Sequence, residues 1–271
     1  MLRMNWRERI RAMRRLARTY IPTKEQRGSR RLLRGGLAAP KVLRSQRRMY
    51  VAYRPDADVE FNCYPEVRDL AERWTANNFA NNAGDLPRLY ALVLNVKQVL
   101  TEGVAGDLAE LGVYRGNSAA VLSHFARAHG RTVYLFDTYA GFPKRDLRDT
   151  DAGIRSAFDG TSLALVKETV GDGGAAYVPG YFPQTITETI ASRRFSVVHL
   201  DCDLLGPMKA GLEFFYERMS PGGAIIIHDY ANPHWADVKR AVDDYLSMKP
   251  EKLVLIPDKS GTAVMRKSSI G

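Results

Sequence analysis

From Gly106 onward the chain alternates short apolar runs with amphipathic stretches, and few architectures accept that pattern. "GDLAELGV" reads as a strand, and "NSAAVLSHFARAH" as a helix with Asn117 at its N-cap and Gly130 beyond its end. "TVYLF", "AAYVPG", "FSVVHL" and "GAIII" read as four further strands. A helix over 207–219, with Pro207 in its first turn, lies between the last two, and "ADVKRAVDDYLS" is the helix that follows them. "KLVLI" and "TAVMRK", joined by "PDKSG", predict a closing hairpin. Strands that are apolar along their whole length are buried on both faces, which requires helices above and below a mostly parallel sheet. The expectation is an α/β fold with seven strands, the C-terminal hairpin antiparallel.

Ahead of this core, 64–83 and 86–100 read as helices, the first burying Val67, Leu70, Ala71 and Trp74. The second is apolar on more than one side and is expected to pack on the sheet. Residues 1–48 differ in kind: they carry 16 Lys/Arg against Glu8 and Glu25, so the arm holds about +14 and the remainder about −4 of the net +10. Within the arm, 5–20 has helical periodicity with Trp6, Ile10, Met13, Ala17 and Tyr20 on one face, and 21–48 reads as a tether. Three segments result: a basic arm (1–48), a helical segment or lid (49–105) and a core (106–271). The two cysteines give no disulfide framework or zinc spacing, and no run is long enough to span a membrane or serve as a signal peptide. A cytoplasmic protein is expected.

Ligands of open α/β sheets bind beyond the carboxyl ends of the strands. The first strand ends "AELGVYRGNSA", where Gly112 and Gly116 permit a tight turn and close approach of a ligand. The spacing is not GxGxxG, and Glu110 stands where a pyrophosphate would be repelled. An acid there suits a cationic group, an ammonium or a sulfonium. The second strand ends in Asp137, placed to accept from ribose hydroxyls. Together Glu110 and Asp137 point to S-adenosylmethionine, with Gly112, Val113, Tyr114, Gly116, Ser118 and Thr138 completing the cofactor site.

Two neighbouring strands also end in acids, Asp201 and Asp203 after one and Asp229, behind His228, after the other. Clustered carboxylates repel unless a cation or a shared proton intervenes. A hard divalent ion is the economical resolution, Mg²⁺ ahead of Mn²⁺ or Ca²⁺, with Asp201 and Asp229 as ligands and His228 either a third ligand or a rim residue bonded to a backbone carbonyl. Such an ion could lower the pKa of a substrate hydroxyl. The blander alternative is that the acids cap loops and pair with Lys209, Lys239 or Arg240. For the proton acceptor the candidates are Asp201, Asp203 and His234, the last in a loop that could close over substrate; His199 reads as a packed strand residue.

"GDLAELGVYRGNSA", "LFDTYAGFP", "VPGYFPQTI", "HLDCD" and "GGAIIIHDY", in this order, resemble the macrocin O-methyltransferase family of the TylF type over roughly residues 86–266. The resemblance implies a Rossmann-like class I methyltransferase fold and a Mg²⁺-dependent transfer from S-adenosylmethionine to a sugar hydroxyl, as in antibiotic tailoring. It places the cofactor at "ELGVYRG" and "FDTY" and the metal at Asp201 with His228 and Asp229. Three positions depart from the family pattern. His228 stands for the first of two aspartates, Cys202 for the glycine of "DGD", and Ala140 for an acid.

The substrate expected is a hydroxylated small molecule. For the arm, an anionic membrane surface or acidic partner ranks above nucleic acid, since no stacking platform accompanies the arginines; peripheral membrane association follows from that reading. The Trp6–Tyr20 face could instead join copies of the chain in a homo-oligomer. Two rival functions stand beside the methyltransferase with metal: a metal-independent enzyme of the same fold, and a non-catalytic module that docks through its arm.

Overall fold

The computed structural model of the chain describes residues 69–71, 74, 85–147 and 158–268. The basic arm and its readings lie outside the described residues, as do Val67 and most of the first expected helix; 69–71 and 74 are helical, with Leu70 and Trp74 buried.

Helix α1 (Leu86–Thr101) is followed by β1 (Asp107–Leu111), α2 (Asn117–Ala128), β2 (Val133–Asp137), α3 (Leu163–Val170) and β3 (Ala175–Pro179). The short α4 (Glu188–Ala191), β4 (Phe195–Leu200), α5 (Leu205–Tyr216), β5 (Met219–Ile227), α6 (Ala236–Leu246), β6 (Val254–Leu255) and β7 (Ala263–Arg266) complete the order. The seven strands run β3-β2-β1-β4-β5-β7-β6, with β1 to β5 parallel and β7 antiparallel to both β5 and β6. This is the expected sheet, and β7 of the closing hairpin sits inside it, between β5 and β6.

Because strand side chains alternate faces, each strand feeds two separate cores. Leu108, Leu135, Val197 and Ile226 pack beneath α1 and α2 with Val93, Val96 and Leu122. Ala109, Phe136, Val198 and Ile225 face α5 and α6 with Phe215, Leu212 and Val242. Phe215 is fully buried and meets Phe136, Phe182, Phe195 and Phe214 at centroid distances of 5.0–5.8 Å. As expected, α1 packs on the sheet, against β4 and β5.

One local expectation needs correction. The N-cap of α2 is Gly116, at φ 85°, and Asn117 is the first helical residue. The Asn117 amide instead donates to the Trp74 carbonyl at 3.2 Å, tying α2 to the preceding helical segment. A glycine can adopt the left-handed turn out of β1 without strain, and that displaces the cap by one residue.

Candidate active site

The register of the sheet builds the site. Leu111, Leu200 and Ile227 are paired across β1, β4 and β5, so these strands end on one line. The ladder then extends one residue further: Asp201 N–H donates to Leu111 O and His228 N–H to Leu200 O, both at 2.9 Å. Gly112, Asp201 and His228 therefore stand side by side at the rim. No side chain fits at position 112, since a Cβ there would lie 2.0 Å from the Asp201 carbonyl oxygen. Asp203 and Asp229 both hold φ 58°, a left-handed conformation that is costly outside glycine and that aspartate tolerates better than most residues.

A cavity of about 410 Å³ opens over this rim, in the size range of small-molecule sites. Gly112, Val113, Tyr114, Ser118, Asp137 and Thr138 line it, as do Asp201, Asp203, His228 and Asp229. Asp137 does more than face a ligand. Its Oδ2 accepts the Val113 and Tyr114 amides at 2.7 and 2.9 Å, and its Oδ1 the Tyr139 amide at 2.7 Å, so it fixes the loop after β1.

Three expected site residues sit elsewhere. Gly116 shapes the turn but is not in the cavity wall. Glu110 is fully buried beneath it, 2.7 Å from His199 Nδ1, its partner across β1 and β4. It shares a strand face with Leu108, under α1 and α2, beside Ser118 of the cavity wall but not itself in that wall. His199 is the packed strand residue expected. His234 is exposed in the turn Pro233–Trp235, and the neighbouring Trp235 reaches the cavity in its place.

The carboxylates are held by cations of the chain itself. Arg88, from the first turn of α1, is buried and places Nη2 2.5 Å from Asp201 Oδ2. His228 Nδ1 lies 2.8 Å from Asp201 Oδ1 and 2.6 Å from Asp229 Oδ2, within ion-pair distance of both, while Nε2 lacks a partner. Burial and the Arg88 charge push the His228 pKa down, but the two carboxylates outweigh them and hold it up at about 9. Burial raises Asp201, yet His228 and Arg88 together keep it well below the usual carboxylate range. Burial, with Asp201 and Asp229 nearby, pushes Asp203 well up, and burial likewise keeps the Cys202 thiol protonated.

Arg88 escaped the reading of the sequence because it is 113 residues from its partner. The available signal was a cation among the apolar residues of "LPRLYALVLNV". Also unforeseen is an aromatic rim over the cavity. Phe158 meets Tyr114 and Phe142 edge-on at 4.9 Å, and Trp235 lies 6.0 Å from Phe142. A second polar wall pairs Tyr181, whose hydroxyl donates to Asp146 Oδ1 at 2.8 Å, with a buried and unpartnered Asp146 Oδ2.

A family model described as Macrocin-O-methyltransferase (TylF) matches residues 39–252. A Streptomyces olivaceus protein named 8-demethyl-8-(2,3-dimethoxy-alpha-L-rhamnosyl)-tetracenomycin-C 4'-O-methyltransferase is 34% identical over 205 residues, 70% of this chain and 73% of that one. Mycinamicin III 3''-O-methyltransferase of Micromonospora griseorubida is 34% identical over 196 residues, 66% and 75% of the two chains. Among solved structures, the O-methyltransferase NovP superposes with a TM-score of 0.59 at 27% identity, over 67% of this chain and 80% of that one.

Proposed function

Because the chain belongs to the macrocin-O-methyltransferase (TylF) family, we propose that it methylates a hydroxyl of a sugar-containing small molecule, with a divalent cation held at Asp201, His228 and Asp229. It is an S-adenosylmethionine-dependent O-methyltransferase. The sugar acceptor is carried over from relatives whose names specify methylation of a rhamnosyl tetracenomycin and of mycinamicin III. The observation that carries the whole reading is the shared strand end. Gly112, Asp201 and His228 stand in line under one cavity, so a methyl donor on the glycine loop and an acceptor over the acids would meet there.

The residues fit a cation. One ligand atom from each of Asp201, His228 and Asp229 falls within 4.8 Å of the others, and Nε2 of the buried imidazole has no partner. A buried polar group without a partner is costly, and an ion would provide one. The sequence favours Mg²⁺.

Bound on the glycine loop, S-adenosylmethionine would supply an electrophilic methyl group for an acceptor oxygen, with the departing sulfur keeping the electron pair. A divalent ion supplies charge that lowers the pKa of an acceptor hydroxyl. The chain does the remainder. Asp137 clamps the loop that receives the cofactor through the Val113 and Tyr114 amides, and Thr138 and Ser118 complete the wall. Asp201 has one oxygen committed to Arg88 and the other facing His228, which suits a ligand better than a base. Asp203, on the same wall, is the group we assign to receive the hydroxyl proton, in the ionised form that a cation at the cluster would favour against the burial and neighbouring acids that push its pKa up. The aromatic rim of Phe142, Phe158 and Trp235 shields the reacting atoms from water.

A second reading has its own observation. Arg88 and a protonated His228 already neutralise two carboxylates, so the cluster is stable without a metal. Calorimetry and turnover separate the two. Asp137→Ala should weaken S-adenosylmethionine binding by about tenfold or more, since hydrogen bonds to a charged group are lost. Asp229→Ala should bind it as wild type does and lose turnover. Chelator should abolish product formation; turnover unchanged by chelator selects the metal-free enzyme.

A further inference from the structure

We propose that the ion taken by this chain is a transition-metal dication of the Mn²⁺, Fe²⁺, Co²⁺ or Zn²⁺ class rather than Mg²⁺, selected by a one-nitrogen, two-oxygen donor set; this rests on the metal reading above.

The hydrogen bonds around the cluster leave each residue a single donor atom. Asp201 gives Oδ2 to Arg88, so Oδ1 alone faces the cluster. Asp229 accepts Asn232 Nδ2 on Oδ1 at 2.5 Å, so Oδ2 alone faces it. These two oxygens converge on one atom, His228 Nδ1, at 2.8 and 2.6 Å. One donor atom from each of the three residues lies within 4.8 Å of the others, a grouping compact enough to surround a single ion. The imidazole is 7% exposed; Nε2 has no partner, and Nδ1 meets only the two carboxylate oxygens that would share the ion with it, so an ion there would take the place of an imidazole proton.

Mg²⁺ asks for an octahedron of oxygens and retains its waters, and it gains little from imidazole nitrogen. Neither carboxylate can turn both oxygens to the ion, because Arg88 and Asn232 each hold one. The guanidinium charge beside Asp201 further weakens a bond that is mainly electrostatic. Borderline transition ions accept the nitrogen with covalent character and tolerate a mixed set. In this chain Arg88 and Asn232 are positioning residues: they fix which oxygen each aspartate presents.

The test loads metal-stripped protein with Mn²⁺ or Mg²⁺ alone and measures affinity by calorimetry, with the electron spin-echo spectrum of the Mn²⁺ form as a second readout. Nearly every mixed site prefers Mn²⁺ to some degree, so the ratio is compared with that of His228→Asp. Expected is a Mn²⁺ over Mg²⁺ preference at least about tenfold larger in wild type than in His228→Asp, with imidazole ¹⁴N coupling to Mn²⁺ in wild type. The ¹⁴N coupling needs no variant and survives a His228→Asp chain that fails to fold. Mn²⁺ bound without nitrogen coupling, or equal ratios in the two proteins, overturns the choice of ion and leaves the metal-dependent reading standing. Neither ion binding, with turnover indifferent to chelator, overturns both.

Discussion

Arg88 brings a buried cation to the site. Its buried guanidinium stands between the Trp74 ring, 5.4 Å away, and the Asp201 carboxylate. Removing one partner of a buried pair leaves the other charge uncompensated, so Arg88→Met should cost about 3–5 kcal/mol in urea unfolding. Arg88→Lys keeps the charge and should recover part of that loss. Glu110 shows the opposite case. The sequence places an acid next to a strand tip and assigns it a cationic ligand; the register gives it His199 instead. Glu110 was legible as an acid in need of a cation and Arg88 was not singled out; in neither case was the partner legible, because it lies on another strand or helix 89 or 113 residues away.

Among elements, the turn from β1 into α2 decides most. Gly112 at φ 88° and Gly116 at φ 85° let the chain reverse within five residues of the strand end. Gly112→Ala should force β1 and β4 apart at their tips, since its methyl would meet the Asp201 carbonyl. We expect a stability loss of roughly 1–3 kcal/mol by thermal melting and a cofactor affinity reduced at least about tenfold, measured by calorimetry. The strands themselves were legible: buried parallel strands are apolar throughout, and "FSVVHL" matches β4 residue for residue. The ends were less so. The N-cap of α2 moved from Asn117 to Gly116, and the first signal of β5 at Gly223 missed the four residues Met219–Gly222, where it passes beside the start of β4.

At the scale of the molecule, Glu251 ties the C-terminal strand to the body. It is 1% exposed, accepts the Tyr216 hydroxyl at 2.6 Å, and binds the Ser268 amide and Lys267. Burial would raise its pKa, but these hydrogen bonds lower it from 4.5 to about 2. Its contribution is therefore complete above about pH 4.5 and lost as pH falls towards 2. Glu251→Gln should lower stability by about 1–3 kcal/mol at pH 7 and flatten the acid limb between those values, as read by urea melts across pH. No helix among the described residues is long and apolar enough to cross a membrane.

By itself the sequence determined the alternating core, the sheet it forms, the glycine loop and the identity of the acids at the strand tips, because backbone periodicity and side-chain chemistry are local properties. Only the tertiary structure decided which cation each acid meets. Arg88 and His228 come to Asp201 through helix packing and strand register, and electrostatic partnership depends on distance in space, which no spacing along the chain encodes.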